Sequence, residues 1–350
     1  MREGLNERVQ RLLTLAQHWR EPSFPERQEA VEQALAASDF LTEEAAAFAL
    51  NQQMHALTEQ ALRRFVDMLP PASEQTVLLW QADRSPLAGW QEALLLWMSG
   101  HRGTLVLTEP AATLVGALLR ALQVDTLVVD TEPRLKTRLA QVDVLLVVGD
   151  ETIHQQVQEA LVESGPAPVK SCLLPLRYGV AVLDGHETPD ELEGLAEDAL
   201  LFEGFGCRSV RLIWAPEHLP PDALLETLSL FRSVFPAHPA TPGRLKMPRA
   251  WLKATSMPHA YGEGLEFLIS KGAPEPQTPG HLRWVSYQQL ETVKAWLSDC
   301  ADELSVVVAR PVLLEQLPAL PGRTEPGRAH RPAFPDTLGT TLEVLRALLT

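Results

Sequence analysis

Between residues 76 and 183, short apolar runs alternate with helix-like segments, and no other feature constrains the fold of this chain as strongly. The runs predict six strands, at 76–80, 104–107, 125–129, 142–148, 169–174 and 179–183. Helical periodicity separates most of them, at 86–98, 111–122, 133–140 and 153–163. Strands that are apolar on both faces form parallel sheets that helices cover on both sides. The pattern therefore predicts a doubly wound α/β domain of the nucleotide-binding type.

The loops that follow these strands are the predicted ligand site of this domain. No Gly-x-Gly-x-x-Gly opens a helix here, so the usual dinucleotide fingerprint is missing. Ligands of doubly wound sheets nevertheless bind beyond the carboxyl ends of the strands. That rule points to the loops at 81–85, 108–110 and 149–152. The predicted cofactor-binding residues lie in or beside them: Ser85, Pro86, Thr108, Glu109, Gly149 and Asp150.

The remaining segments predict three further parts of the chain. Helical patterns at 7–19, 24–37 and 42–69 predict a helical preface at 1–70, packed on a cofactor domain at 71–202. A second alternation of strands and helices predicts an α/β catalytic domain at 203–312. Its predicted strands are 210–214, 264–269, 283–285 and 304–309, and its helices are 222–235 and 288–296. Residues 235–258 show no clear period. A proline-rich tail at 313–350, with a last helix at 341–349, is expected to return to the cofactor domain.

Charge and cysteine content exclude several classes of function. The net charge of −15 argues against nucleic acid or an anionic membrane as a partner. No apolar run is long enough to span a bilayer and the first residues lack a signal-like apolar core, so a cytoplasmic protein is expected. Three widely spaced cysteines form no disulfide or zinc motif, so no metal is expected. Cys172 and Cys300 are assigned structural roles.

Cys207 is the candidate nucleophile of the chain. An acidic, helix-like run at 187–203 ends in Gly204 and Gly206, and an apolar strand begins at Val210. Helix ends and glycine turns offer backbone N–H groups that stabilise a thiolate or an oxyanion. The alternative is that Cys207 is a small buried hydrophobe, as most free cysteines are. Arg208 either lowers the pKa of the thiol or pairs with Glu203.

Residues 185–210 resemble the block that carries the nucleophilic cysteine in LuxC-type acyl-CoA reductases, a family of the aldehyde dehydrogenase superfamily. In that family "FGLGCRNV"-like residues stand where this chain reads Phe-Gly-Cys-Arg-Ser-Val. Segments at 85–90, 98–101, 177–183 and 327–332 resemble further parts of the family in the same order, so the resemblance spans residue 40 to the C-terminus. It implies an aldehyde-dehydrogenase-like fold, in which a nucleotide-binding domain holds NADPH beside an α/β catalytic domain.

The same resemblance implies a reaction and its site. Cys207 would take the acyl group of a fatty acyl-CoA, or of another acyl thioester, as a thioester that NADPH reduces to the aldehyde. Arg84 stands where the superfamily commonly holds an oxyanion with Asn, Val106 where a Lys meets the cofactor ribose, and Asp150 where Ser faces the pyrophosphate. His330, in the segment at 327–332, is a candidate base. A homo-oligomer and an acyltransferase partner are also implied.

The sequence is compatible with three hypotheses of function. The first is the acyl-CoA reductase of fatty acid metabolism, acting through Cys207. The second is a non-catalytic homologue of the same fold that acts as a binding or scaffold protein, since three positions around cofactor and oxyanion depart from the family. The third is a cysteine acyltransferase that passes on the acyl group without hydride. Binding of NADPH separates the first hypothesis from the second.

Overall fold

A computed structural model describes residues 2–71, 73–164, 169–320, 322–335 and 341–350, and in it the chain forms two compact units. Unit 1 comprises Met1–Ser38, Ala46–Leu176 and Ala333–Thr350. Unit 2 comprises Asp39–Ala45 and Arg177–Pro332. The parts of the predicted tail at 321 and 336–340 lie outside the described residues.

Unit 1 begins with helices. They are α1 (Arg2–Arg20), α2 (Pro25–Ala37), α3 (Glu43–Ala56) and α4 (Glu59–Asp67). The single helix predicted at 42–69 is therefore wrong, and the break lies at Thr58. This residue has extended backbone angles, and its side chain accepts a hydrogen bond from the Ala61 amide at 3.2 Å. Because a threonine in that role caps a new helix, the chain turns there and starts α4.

A five-stranded parallel sheet forms the centre of unit 1. Its strands are β1 (Thr76–Gln81), β2 (Arg102–Leu107), β3 (Leu127–Asp130), β4 (Val144–Gly149) and β5 (Lys170–Pro175). Between them lie α5 (Trp90–Ser99), α6 (Ala111–Ala121), α7 (Leu135–Arg138) and α8 (Glu151–Glu163). The order is β3-β2-β1-β4-β5, with every pair parallel. This confirms the predicted doubly wound sheet, whose strand order reverses between β1 and β4.

Unit 2 is built on a seven-stranded sheet. Its strands are β6 (Tyr178–Val182), β7 (Val210–Pro216), β8 (His259–Tyr261), β9 (Leu268–Lys271), β10 (His281–Tyr287), β11 (Leu304–Val308) and β12 (Arg323–Thr324). Its helices are α9 (Pro189–Leu200), α10 (Asp222–Val234), α11 (Thr241–Ala254), α12 (Leu290–Asp299) and α13 (Pro311–Leu314). The order is β12-β11-β6-β7-β10-β9-β8, and β8 alone is antiparallel to its neighbour among the described pairs. The last helix, α14 (Thr341–Leu348), belongs to unit 1.

The two units differ from the predicted domain boundaries. β6 and α9 fall in the predicted cofactor domain at 71–202, but β6 pairs with β7 and β11 in unit 2. The tail also divides, since α13 and β12 belong to unit 2 and only Ala333–Thr350 belongs to unit 1. A continuous apolar strand has the same pattern in either sheet, so hydrophobicity alone cannot assign it.

Helix α11 is an element that the sequence analysis missed. Its prolines at 242 and 248 weaken the helical signal, and Met247 and Trp251 are 77% and 56% exposed. The buried face is carried mainly by Leu245 and Leu252, two turns apart. A face this narrow gives little 3.6-residue periodicity, so the helix depends on packing against β9 and its neighbours.

The part of the chain that the structure describes contains neither a membrane-spanning helix nor a metal-binding group of side chains. No helix there is both long and apolar enough to cross a bilayer. No group of three His, Cys, Asp or Glu side chains there is arranged to hold a metal ion.

Candidate active site

Cys207 lies in the turn between α9 and β7, where its side chain is half-buried. Helix α9 starts at a capping box formed by Thr188 and Glu191, which fixes its direction toward this turn. After the helix, Gly204 and Gly206 adopt positive φ angles of 74° and 89°. A Cβ on Gly204 would lie 2.5 Å from the Gly280 amide nitrogen, so only glycine fits there. The glycines predicted to build the turn therefore do so.

A buried ion pair lies at the start of this turn. Glu203 is 1% exposed and is held in a two-point contact by Arg232 of α10, with N–O distances of 2.7 and 3.0 Å. The Thr241 hydroxyl also donates to the Glu203 carboxylate. The predicted alternative in which Arg208 pairs with Glu203 is therefore wrong, because Arg232 is the partner of this carboxylate. Arg232 reaches the carboxylate because α10 packs against α9, a contact that no local pattern reveals.

Three hydrogen bonds hold the backbone around Cys207, the candidate nucleophile. The Ser305 hydroxyl donates to the Cys207 carbonyl, and the Ser209 hydroxyl donates to the Phe205 carbonyl. Arg208 donates from Nε to the Ala329 carbonyl. The turn is thus fixed by β11, by its own residues and by the segment around Ala329. Such pre-arranged contacts keep a nucleophile in place without reorganisation during reaction.

His330, the candidate base, lies in the same segment. Its Nε2 is 3.1 Å from the Asp198 carbonyl oxygen, and its ring meets the Phe202 ring edge-on at 4.7 Å. Burial, and then the charge of Arg208, lower the pKa of His330 far below its ordinary value. The contact with a carbonyl assigns the proton to Nε2, which leaves a neutral ring. A group with so low a pKa is a weak general base near neutral pH, so this role is not favoured.

The predicted cofactor loops meet at one edge of the sheet of unit 1. The Ala82 amide donates to the Val148 carbonyl at 2.9 Å, which joins the ends of β1 and β4. The Thr108 hydroxyl donates to the Asp83 carbonyl at 2.9 Å, which joins the ends of β2 and β1. Ser85 donates to the Asp83 carboxylate at 2.7 Å. The structure therefore brings these loops together at the switch point of the sheet, with Arg84 half-buried and Pro86 buried in the same loop.

The helix that follows β4 does not fit a pyrophosphate. Asp150 caps α8, and its carboxylate accepts from the Ile153 amide at 3.0 Å. A Cβ on Gly149 would lie 2.6 Å from Ile153 Cγ2, so the strand end and the helix pack closely. Glu151 adds a second negative charge in the first turn. Helix N-termini bind phosphate through exposed N–H groups, and here a carboxylate takes that place.

The end of β2, by contrast, fits a ribose. Glu109 accepts from the Thr113 amide at 3.2 Å and from its hydroxyl at 2.8 Å, and both contacts use Oε2. No hydrogen bond from the described residues uses the other carboxylate oxygen, which can accept from a hydroxyl, and this is how an acid after the second strand binds the ribose of a dinucleotide. Gln81 Oε1 is buried there without a hydrogen-bond partner in the described residues. Val106 is 1% exposed and packs in the core, so it contributes nothing to this edge.

Sequence reasoning missed Asp198, Arg232 and Ser305. Asp198 is fully buried on the face of α9 that also carries Leu195 and Ala199. A charged residue on an apolar helix face is a signal that could have identified it, because a buried charge needs partners. Ser305 carries no such signal, since it differs in no way from other serines in strands.

The whole fold resembles solved structures of aldehyde dehydrogenases at low sequence identity. An NAD-dependent benzaldehyde dehydrogenase from Corynebacterium glutamicum matches with a TM-score of 0.68 and 12% identity over 92% of this chain and 81% of its own. An oxidoreductase from Marinobacter aquaeolei matches with a TM-score of 0.67 and 11% identity over 92% and 78%. Aldehyde dehydrogenase 21 from Physcomitrella patens matches with 0.65 and 11% over 92% and 77%.

The sequence itself matches no family model. It also matches no curated protein. TM-scores of 0.63–0.68 at identities of 11–13% over most of the chain show a shared architecture, with its parallel sheets and crossover helices. This chain has the aldehyde dehydrogenase fold.

Proposed function

We propose that this protein is an aldehyde-level oxidoreductase that forms a thioester at Cys207, and that its substrate is a fatty acyl-CoA reduced to the aldehyde. The observation that carries the proposal is the turn between α9 and β7. Cys207 has a half-buried thiol in this turn and follows two glycines with positive φ angles. Its backbone carbonyl accepts a hydrogen bond from the Ser305 hydroxyl. The aldehyde dehydrogenase fold and the resemblance of residues 185–210 to LuxC-type reductases support the same assignment.

The chemistry at Cys207 is an acyl transfer. The Cys207 thiolate attacks the thioester carbonyl carbon, a C–Sγ bond forms, the bond to the coenzyme sulfur breaks, and coenzyme A leaves as a thiolate that takes up a proton. A nicotinamide cofactor supplies hydride when it is bound. Glu109 and the loop after β1 would hold its ribose.

Mass spectrometry of the intact protein tests the acyl transfer. Incubation with octanoyl-CoA is expected to add one acyl group, which peptide mapping places on Cys207. The Cys300→Ala variant should acylate to the same extent, because burial raises the pKa of the Cys300 thiol and keeps it protonated. Folded protein that gains no acyl group would contradict the proposal. An acyl group passed to another thiol without consumption of reduced nicotinamide would favour the acyltransferase hypothesis.

Cofactor preference follows from Glu109. The resemblance implies NADPH, but a carboxylate at the end of β2 supports NADH, because it accepts from the 2′-hydroxyl and repels a 2′-phosphate. We expect saturating NADH to raise the melting temperature by about 4 °C or more and NADPH to raise it less. Glu109→Gln keeps an acceptor for Thr113 and should reduce this difference. Equal shifts in the native protein would contradict the assignment to Glu109, and no shift with either nucleotide would support the non-catalytic homologue.

A further inference from the structure

We infer that Asp198 is a positioning residue for Cys207, because its carboxylate fixes the segment at 327–331 that holds Arg208. We call residues 327–331 the anchor segment. The inference rests on the proposed role of Cys207 as the nucleophile. It assigns to Asp198 no contact with substrate.

The carboxylate of Asp198 binds the anchor segment at two points. Oδ2 accepts from the Gly327 amide at 2.7 Å, and Oδ1 accepts from the Ala329 amide at 3.0 Å. The backbone carbonyl of Asp198 is in addition the partner of His330 Nε2. Asp198 and Ala329 are both 0% exposed. Two amides on one buried carboxylate fix the path of the segment in a way that packing alone does not.

Further contacts hold the anchor segment against the same helix. Arg331 pairs with Glu197, the residue before Asp198. A Cβ on Gly194 would lie 2.7 Å from the Gly327 amide nitrogen, so the two backbones touch. Helix α9, whose end leads into the nucleophile's turn, is therefore also the support of the anchor segment.

Ala329 connects Asp198 to the nucleophile. Its N–H donates to Asp198, and its carbonyl accepts from Nε of Arg208. Arg208 is the neighbour of Cys207 in the chain. A shift of Ala329 therefore pulls on the Arg208 side chain, and through it on the backbone of the turn that carries Cys207.

The pKa of the Asp198 carboxyl lies near neutral pH, so its charge should change within the range of an ordinary pH profile. Burial and then the charge of Glu197 raise its pKa to about 7, against the Gly327 and Ala329 amides and the Arg331 charge. His330 faces it from the anchor segment as a neutral ring, and the Arg208 cation lies beyond Ala329. Above pH 7 the carboxylate accepts from both amides, whereas below it a carboxyl proton opposes one of them. The anchor should therefore tighten as pH rises through 7.

Alkylation of Cys207 by iodoacetamide, followed by peptide mass spectrometry, tests the inference. In Asp198→Asn the amide NH₂ group opposes one backbone N–H, so one of the two contacts is lost. We expect the rate constant at pH 8 to fall about fivefold. The pH profile of the native protein should show an inflection near 7 that this variant lacks. Leu297→Ala, a core change in α12, should lower stability without altering the profile.

Arg208→Lys carries the same test without changing the buried carboxyl. It keeps the positive charge and loses the Nε–H that reaches Ala329, so alkylation should slow and the inflection near pH 7 should disappear. The variant that combines Asp198→Asn with Arg208→Lys should react no more slowly than the slower single variant. Both changes break the same connection, which runs through Ala329. Additive effects, or an unchanged rate and profile in folded variants, would overturn the inference. Alkylation needs no acyl-CoA or nucleotide, so a failed acylation test with this coupling intact would reject only the proposed function.

Discussion

The Cys207→Ala variant is expected to reduce a fatty acyl-CoA roughly a thousandfold more slowly than the native protein, or slower still. A methyl group cannot form the thioester, so the covalent path is closed while the binding surfaces remain. Cys207→Ser should be similarly inactive, because a hydroxyl keeps the shape of the thiol but ionises far less readily. The measurement is consumption of reduced nicotinamide with octanoyl-CoA as substrate.

The other thiol of unit 2 provides the matched control for this loss. Cys300→Ala changes a half-buried cysteine after α12 and should keep close to full turnover. Unfolding curves for all variants separate lost chemistry from lost structure. Turnover of Cys207→Ala within tenfold of the native value would show that Cys207 is not the nucleophile.

Glu203→Gln should lower the free energy of unfolding by about 3–5 kcal/mol. The substitution removes one charge of a pair whose side chains are 1% and 2% exposed, and it leaves Arg232 charged inside the protein. The same change releases the start of the turn that carries Cys207, so we also expect turnover to fall. Urea denaturation measures the stability, and the substitution preserves side-chain volume.

An exposed ion pair gives the comparison for Glu203. Glu59 pairs with Arg63 one turn along α4, with both side chains more than half exposed, and Glu59→Gln should cost less than about 1 kcal/mol. Replacing both buried partners, in Glu203→Gln with Arg232→Met, should recover part of the lost stability, because no unpaired charge remains. If Glu203→Gln costs no more than Glu59→Gln, the buried pair does not stabilise the turn.

Local pattern was sufficient for most strands and for the glycine turn at Cys207. It did not predict β8 or β12, and it placed at 264–269 a strand that in the structure is β9, at Leu268–Lys271. The apolar runs that predicted β1, β4 and β7 agree with the structure to within two residues at each end. The glycines at 204 and 206 mark the turn because few other residues adopt a positive φ angle at low cost. Thr58 and α11 lie where local pattern is not sufficient. A cap inside a helical run and a narrow buried face are both weak signals against a strong periodic background.

The sequence by itself thus determined the alternation of strands and helices and the position of the thiol between α9 and β7. Only the tertiary structure decided the partners: Arg232 for Glu203, Ala329 for Asp198 and Arg208, and unit 2 for β6. The physical reason is that backbone propensity and hydrophobic period act over a few neighbouring residues. The hydrogen bond between Asp198 and Ala329 joins residues 131 positions apart. Neither local sequence shows that it exists, because the packing of the whole unit sets the distance between the two residues.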